Sequence, residues 1–167
     1  MLAIVSIKGD HKMNTKNDHA QLVINPFLIY IAFGLCAFFL QKFLPLPFIP
    51  QAEAHITGVI IMTVNLILGL TAVRNMFAAK TSLSPYRPTT ALVFSGPFRF
   101  SRNPIYIGLT LLYTGLVTYL QLPWGLVFLP IVIWLITIWV IVPEEKYLEQ
   151  KFGAEYLDYK STVRRWI

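Results

Sequence analysis

Long apolar runs separated by short polar and basic stretches make up most of the chain. Four of them approach the roughly 20 residues that a helix needs to cross a bilayer. They are residues 22–41 (LVINPFLIYIAFGLCAFFLQ), 55–73 (HITGVIIMTVNLILGLTAV), 104–120 (PIYIGLTLLYTGLVTYL) and 124–142 (WGLVFLPIVIWLITIWVIV). The third is rather short. Pro26 and Pro130 fall inside runs, which membrane helices tolerate when neighbouring groups satisfy the freed backbone. Only Gln121, Leu122 and Pro123 separate the last two runs, which predicts a tight antiparallel hairpin.

Beyond residue 143 the pattern changes. In EEKYLEQKFGAEYLDYKSTVRRWI, Leu148, Phe152 and Tyr156 recur every fourth residue with charges between them, as in an amphipathic helix. Gly153 marks a break or a helix end. Tyr156, Tyr159 and Trp166 suit a membrane interface, where an amphipathic ring has one wet and one dry side. The expected fold is therefore an all-α integral membrane protein. It has four transmembrane helices, a hairpin of spans three and four, and a cytoplasmic interfacial C-terminal helix. Residues 22–167 form its single domain, preceded by a poorly ordered cytoplasmic extension, 1–21, in which Met13 is a second candidate start.

Composition agrees: 56% of residues are apolar and only 13% are charged, about half the usual share for a soluble domain. The net charge of +6 does not point to nucleic acid, because the cations sit in loops beside apolar runs. Arg74, Lys80, Arg87, Arg99 and Arg102 lie in the 74–103 loop without an acid, and Lys146, Lys151, Lys160, Arg164 and Arg165 lie in the tail. The opposite connections carry only Lys42. The positive-inside rule then puts both termini and the 74–103 loop in the cytoplasm. Residues 1–21 hold too many charges and no sustained apolar core for a secretory signal. The lone Cys36 cannot form an intrachain disulfide, and His11, His19 and His55 lie away from the polar motifs, so no metal site is expected.

The densest polar stretch is SGPFRFSRNPIYIG, residues 95–108. Asn103-Pro104 reads as a helix start, an asparagine cap followed by a first-turn proline. Arg99 and Arg102 read equally well as anchors to lipid headgroups. Glu144 and Glu145 follow directly on WLITIWVIVP at the membrane edge, where ionisable groups are usually paired or functional. The hairpin returns them to the side where the third span begins, within reach of Arg102, Asn103 and Tyr106. Spacing leaves open a structural salt bridge or a binding site.

These elements resemble the isoprenylcysteine carboxyl methyltransferase family and the related phospholipid N-methyltransferases. The shared pattern is Arg-His-Pro-x-Tyr-x-Gly, a helical hairpin, Glu-Glu-x-x-Leu, then Phe-Gly-x-x-Tyr-x-x-Tyr. Here it reads Arg102-Asn103-Pro104-Ile105-Tyr106-Ile107-Gly108, Glu144-Glu145-Lys146-Tyr147-Leu148, then Phe152-Gly153, Tyr156 and Tyr159. The likeness covers about residues 84–166 and is that of a small bacterial member. It implies an inner-membrane methyltransferase that uses S-adenosylmethionine at its cytoplasmic face, on a lipidic or prenylated acceptor from the bilayer.

By position, the resemblance implies that Thr90, Leu92, Val93, Phe98, Asn103, Pro104, Ile105, Tyr106 and Glu144 bind the cofactor. Arg102 and Glu145 are the implied catalytic pair. An acid suits the cofactor's ammonium, an arginine or helix N-terminus its carboxylate, and aromatic rings its adenine or sulfonium. Asn103 stands where the family has histidine, which excludes proton transfer there. Val140 stands where eukaryotic isoprenylcysteine enzymes have a substrate-binding arginine. A phospholipid N-methyltransferase and a non-catalytic helical bundle are the alternative readings.

Overall fold

A computed structural model describes residues 19–20, 22–82 and 87–167. The expected N-terminal extension, with Met13, lies outside the described residues apart from His19 and Ala20, and so does residue 84. Among the described residues every regular element is helical. Helix α1 spans Pro26–Phe43 and α2 Gln51–Ala78, α3 is Pro104–Tyr119, and α4 is Pro123–Ile136. The chain continues from α4 through a π-turn, Thr137–Ile141, into α5, Val142–Phe152, and then into α6, Ala154–Thr162.

Local chemistry explains the starts. Asn25 caps α1 by accepting the Phe27 N–H at 3.0 Å, with Pro26 as the first helical residue. Asn103 holds the N-cap position of α3 but makes no side-chain cap. Its backbone carbonyl accepts from the Tyr106 and Ile107 N–H groups, while its amide is used elsewhere. The expected asparagine cap is thus corrected: the position is right and the bond is not.

Among the described residues, three helices are long and apolar enough to cross a membrane: Pro26–Phe43, Gln51–Ala78 and the continuous Pro123–Phe152. Pro104–Tyr119 is apolar but shorter. Their outward faces are inverted relative to a soluble protein: Leu28, Ile31, Ile60, Ile67 and Leu70 are more than half exposed. Contiguous apolar surface of this kind suits lipid. The 30 residues of Pro123–Phe152 would reach about 45 Å at 1.5 Å per residue, against a hydrocarbon core of about 30 Å. Its apolar part ends at Val142, so Glu144 and Glu145 lie past the span, on a helix that does not stop at the membrane edge.

Pro143 ought to break that helix, because it has no N–H to offer the Trp139 carbonyl one turn back. The π-turn widens the backbone there, and the freed Trp139 carbonyl accepts the Val23 N–H at 3.1 Å. Val140 is fully buried in this turn.

Helices α2 and α3 pack closely and antiparallel. Gly58 meets Gly115 and Tyr119, Met62 meets Gly115, and Asn65 meets Gly108. Helix α1 packs on α4 through Ile29, Ala37, Val132 and Ile136, with a Phe33–Phe128 edge contact. Tyr30 joins α1 to α3 through a 2.8 Å bond with Thr110. Between α3 and α4, Gln121 turns the chain with φ +57°, and Leu122 N–H bonds back to Val117 O at 2.8 Å.

A Cβ on Gly58 would lie 2.7 Å from Tyr119 Cβ and 2.8 Å from Gly115 O, and backbone cannot step aside. Gly58→Ala is therefore expected to destabilise the fold by about 1–3 kcal/mol, seen as a lower unfolding temperature in detergent. Gly69→Ala, where nothing lies within 4 Å, is expected to leave it unchanged.

Candidate functional site

The chain between α2 and α3 folds back over the end of α2. Ser95 Oγ donates to Asn75 Oδ1 at 2.7 Å, and Gly96 adopts φ +60°, a conformation that a side chain would strain. The short 3₁₀ turn Gly96–Arg99 then drops Phe98 against Ala72 and Val93. Helix α6 closes over this turn, and the Tyr159 hydroxyl donates to Phe98 O at 2.7 Å.

Between this loop, the start of α3, α5 and α6 lies a cavity of about 740 Å³, its open mouth included. Leu92, Val93, Phe98, Arg102, Asn103, Pro104, Ile105, Tyr106 and Glu144 all line it, as the motif positions anticipate. Thr90 and Glu145 do not. Thr90 instead braces the loop, donating to Lys80 O at 2.7 Å and accepting no ligand-facing position.

Met76, Thr81, Thr89, Leu148, Tyr156 and Tyr159 also line the cavity. The expectation that Tyr156 and Tyr159 lie at a membrane interface is corrected here. They are 1% and 8% exposed and form part of the cavity wall, with their rings 6.1 Å apart. Their place in the Phe-Gly-x-x-Tyr-x-x-Tyr pattern was the available signal. Trp166 likewise packs on the main core and donates to Thr137 Oγ1 at 3.1 Å.

The two glutamates face different surroundings. Tyr106 OH donates to Glu144 Oε2 at 2.7 Å at the cavity wall. Glu145 is buried between two arginines: Arg102 reaches Oε1 at 2.9 Å, and Arg165 reaches Oε2 at 2.8 Å. Arg102 uses four of its five N–H donors here: Nε and Nη2 bond Glu145, and Nη1 donates to the carbonyls of Lys160 and Val163. The C-terminal segment is tied to the same place. Arg102 N–H donates to Arg164 O at 2.9 Å, and Ser101 Oγ and Asn103 Nδ2 donate to Arg165 O at 3.1 and 3.0 Å.

Burial pushes the Glu144 carboxyl above the ordinary carboxylate range; the Tyr106 hydrogen bond opposes this, and the charge of Glu145 adds to it. Burial acts the same way on Glu145, but the hydrogen bonds and charges of Arg165 and Arg102 outweigh it and hold the carboxyl low. Hydrogen bonding to Glu145 in turn raises the Arg165 guanidinium. Burial raises the Tyr156 and Tyr159 hydroxyls, which stay protonated donors at neutral pH. The result is a recess with aromatic walls, a helix N-terminus and a carboxylate that, among the described residues, no cation pairs with directly. Among the described residues no group of histidine, cysteine and acidic side chains is arranged to hold a metal.

The sequence profile of the phospholipid methyltransferase family matches residues 54–155, and the chain belongs to that family. It is 39% identical over 72 residues to the protein-S-isoprenylcysteine O-methyltransferase of Saccharomyces cerevisiae, covering 43% of this chain and 30% of the yeast protein. The matched stretch thus spans less than a third of that relative. An uncharacterized protein of Haemophilus influenzae is 47% identical over 45 residues, 26% of this chain and 71% of its own length. No solved structure matches. These matches relate the chain to membrane methyltransferases, the isoprenylcysteine enzymes among them, and its apolar helices suit that kinship.

Removing Arg102 would leave Glu145 buried with half its compensation. Arg102→Ala is expected to cost about 3–5 kcal/mol of stability, measured by unfolding in detergent. Arg102→Lys, which keeps the charge but not the planar fork, is expected to lose distinctly less.

Proposed function

We propose that the cavity binds S-adenosylmethionine and that the protein moves a methyl group from it to a hydrophobic acceptor drawn from the bilayer. The observation that carries this reading is Glu144, a carboxylate at the wall of an aromatic recess, beside the N-terminus of α3. Glu144 holds the cofactor's ammonium, and the N-terminal end of the α3 dipole faces its carboxylate. Phe98, Tyr106, Tyr156 and Tyr159 present rings to the adenosyl and sulfonium portions. Leu92, Val93, Pro104 and Ile105 supply the apolar wall, and Thr90 and Asn103 hold that wall in place.

When bound, the cofactor supplies an electrophilic methyl group on sulfur. The chain's own residues then have positioning to do: they hold the acceptor in line with the methyl and keep water out of the recess. Arg102 and Glu145 serve that geometry from behind, as the pair that fixes the cavity wall. Residues 22–167 act as one domain, with the cofactor part at 84–166. Helices α1 to α4 cross the bacterial inner membrane four times, α3 and α4 as a hairpin, and leave both termini in the cytoplasm. The basic 74–103 loop and tail support that sidedness.

The similarity to an isoprenylcysteine O-methyltransferase supports a carboxylate on a lipidic or prenylated acceptor. An amine acceptor of the phospholipid type is the second reading. It is favoured by one observation: among the described residues lining the cavity, the one cation is Arg102, and Glu145 and backbone carbonyls take four of its five N–H donors. An amine must also lose a proton, which Glu144 can accept.

Calorimetry on the purified protein in detergent or lipid is expected to show S-adenosylmethionine binding, and Glu144→Ala is expected to weaken it by about 2–5 kcal/mol. A wild type that binds nothing would favour a non-catalytic bundle and sink the reading. Label from the cofactor's methyl group would enter a base-labile ester, a thioether or an amine headgroup, according to the acceptor.

A further inference from the structure

Arg165 is the one tail cation that enters the buried network, although its place in the sequence suggests only membrane topology. Its side chain is 37% exposed, yet Nε lies 3.1 and 3.2 Å from the two oxygens of Glu145, and Nη2 lies 2.8 Å from Oε2. Its own carbonyl takes Ser101 Oγ and Asn103 Nδ2, so backbone and side chain are both anchored at the start of α3. The guanidinium therefore neither faces solvent freely nor lines the cavity.

We propose that Arg165 is a positioning residue: by gripping Glu145 it keeps that carboxylate out of the cavity and leaves Glu144 as the ionised carboxylate offered to the incoming ammonium. The inference rests on reading the cavity as an S-adenosylmethionine site. Two adjacent carboxylates disfavour each other's charge unless cations compensate one of them. Here two guanidinium charges, Arg102 and Arg165, stand against the single charge of Glu145, leaving a surplus of one positive charge behind Glu144. Besides Arg102, the other titratable groups that line the cavity with Glu144, among the described residues, are Tyr106 from α3, which donates to it, and Tyr156 and Tyr159 from α6, which stay neutral. Arg165 is thus the partly exposed and replaceable member of the balance, whereas Arg102 is buried at 8%.

The test is the pH profile of S-adenosylhomocysteine binding to the full chain in detergent. This probe keeps the ammonium and lacks the sulfonium charge. Measurements run from about pH 5 to pH 7.5, below the titration of an α-amino group. Wild-type affinity falls on acidification as Glu144 takes up a proton. Arg165→Gln is expected to move that midpoint upward by about half to one unit, a three- to tenfold weaker affinity on the acid side that recovers toward neutral pH. Arg165→Lys restores the charge and the midpoint. The double variant Arg165→Gln, Glu145→Gln also returns it, because the local charge is again one cation in surplus.

If Arg165→Gln does not fold, Glu145→Gln alone reads the same balance, and its midpoint is expected to move down. A loss of equal size at every pH would make Arg165 merely structural and overturn the proposal, as would an unmoved profile. A wild type that binds no adenosyl ligand at any pH would instead overturn the cofactor reading itself.

Discussion

One carboxylate that cannot be left unpaired organises the cytoplasmic end of this protein. Glu145 is 4% exposed, and an ion at that depth is costly unless its charge and lone pairs are met. Arg102 and Arg165 meet both, from positions 43 residues before and 20 residues after it. The loop before α3, the helix after the membrane and the C-terminal tail are thereby joined at one point. Carbonyls of Lys160, Val163, Arg164 and Arg165 complete the junction, each taking a donor from Ser101, Arg102 or Asn103. A network of this kind is rigid only while it is fully satisfied. That condition explains why so short a tail folds inward when it might otherwise lie along the membrane surface.

The π-turn decides which glutamate plays which part. Successive residues of an α-helix are about 100° apart, so one extra residue in a turn rotates everything after it by that amount. Thr137–Ile141 makes that insertion just before Pro143. Glu145 consequently meets the two arginines while Glu144 meets Tyr106 and the cavity. The same turn frees the Trp139 carbonyl for Val23, tying the segment before α1 to the end of α4 that leads to the cavity. Thr137 also receives Trp166, so the distortion is supported from the tail as well.

How much of this was legible in the sequence depended on the range of the forces involved. The apolar runs were legible because lipid asks for the same thing along their whole length, and α1 to α4 follow them with ends shifted by a few residues. The cavity wall at Leu92, Val93, Phe98 and Asn103 to Tyr106 was legible through an ordered motif, which carries positional information that periodicity lacks. Tyr156 and Tyr159 were misread because an aromatic residue on a short amphipathic helix has the same spacing whether it faces lipid headgroups or a cavity. Asn103 misled for the opposite reason. A local capping rule was applied to an amide that a distant partner, the carbonyl of Arg165, had claimed. Helix continuation past Pro143 needed the π-turn and the Val23 N–H, neither of which leaves a mark in the local sequence.

The unequal lengths of the helices give the site its access. Helix α3 has 16 residues and reaches about 24 Å, short of a hydrocarbon core of about 30 Å, while the 28 residues of α2 reach about 42 Å. In the proposed four-crossing arrangement, α3 starts below the plane that its neighbours pass through. Its N-terminus is then recessed, and the projecting ends of α2 and α5, together with α6, stand as walls around it. On the proposed reading, a recess at that depth is open to a water-soluble cofactor from above. It also lies level with the headgroups and upper chains of lipids at its side, where an amphiphilic acceptor presents its polar end. Glu144 sits where those two routes meet, and a carboxylate there is affordable because Tyr106 donates to it and the arginines behind Glu145 lower the local negative charge. A longer α3 would lift its N-terminus toward the aqueous phase and remove the dry side of the site. The shortness that sets α3 apart from its neighbours is thus what a reaction between a soluble donor and a membrane-resident acceptor calls for.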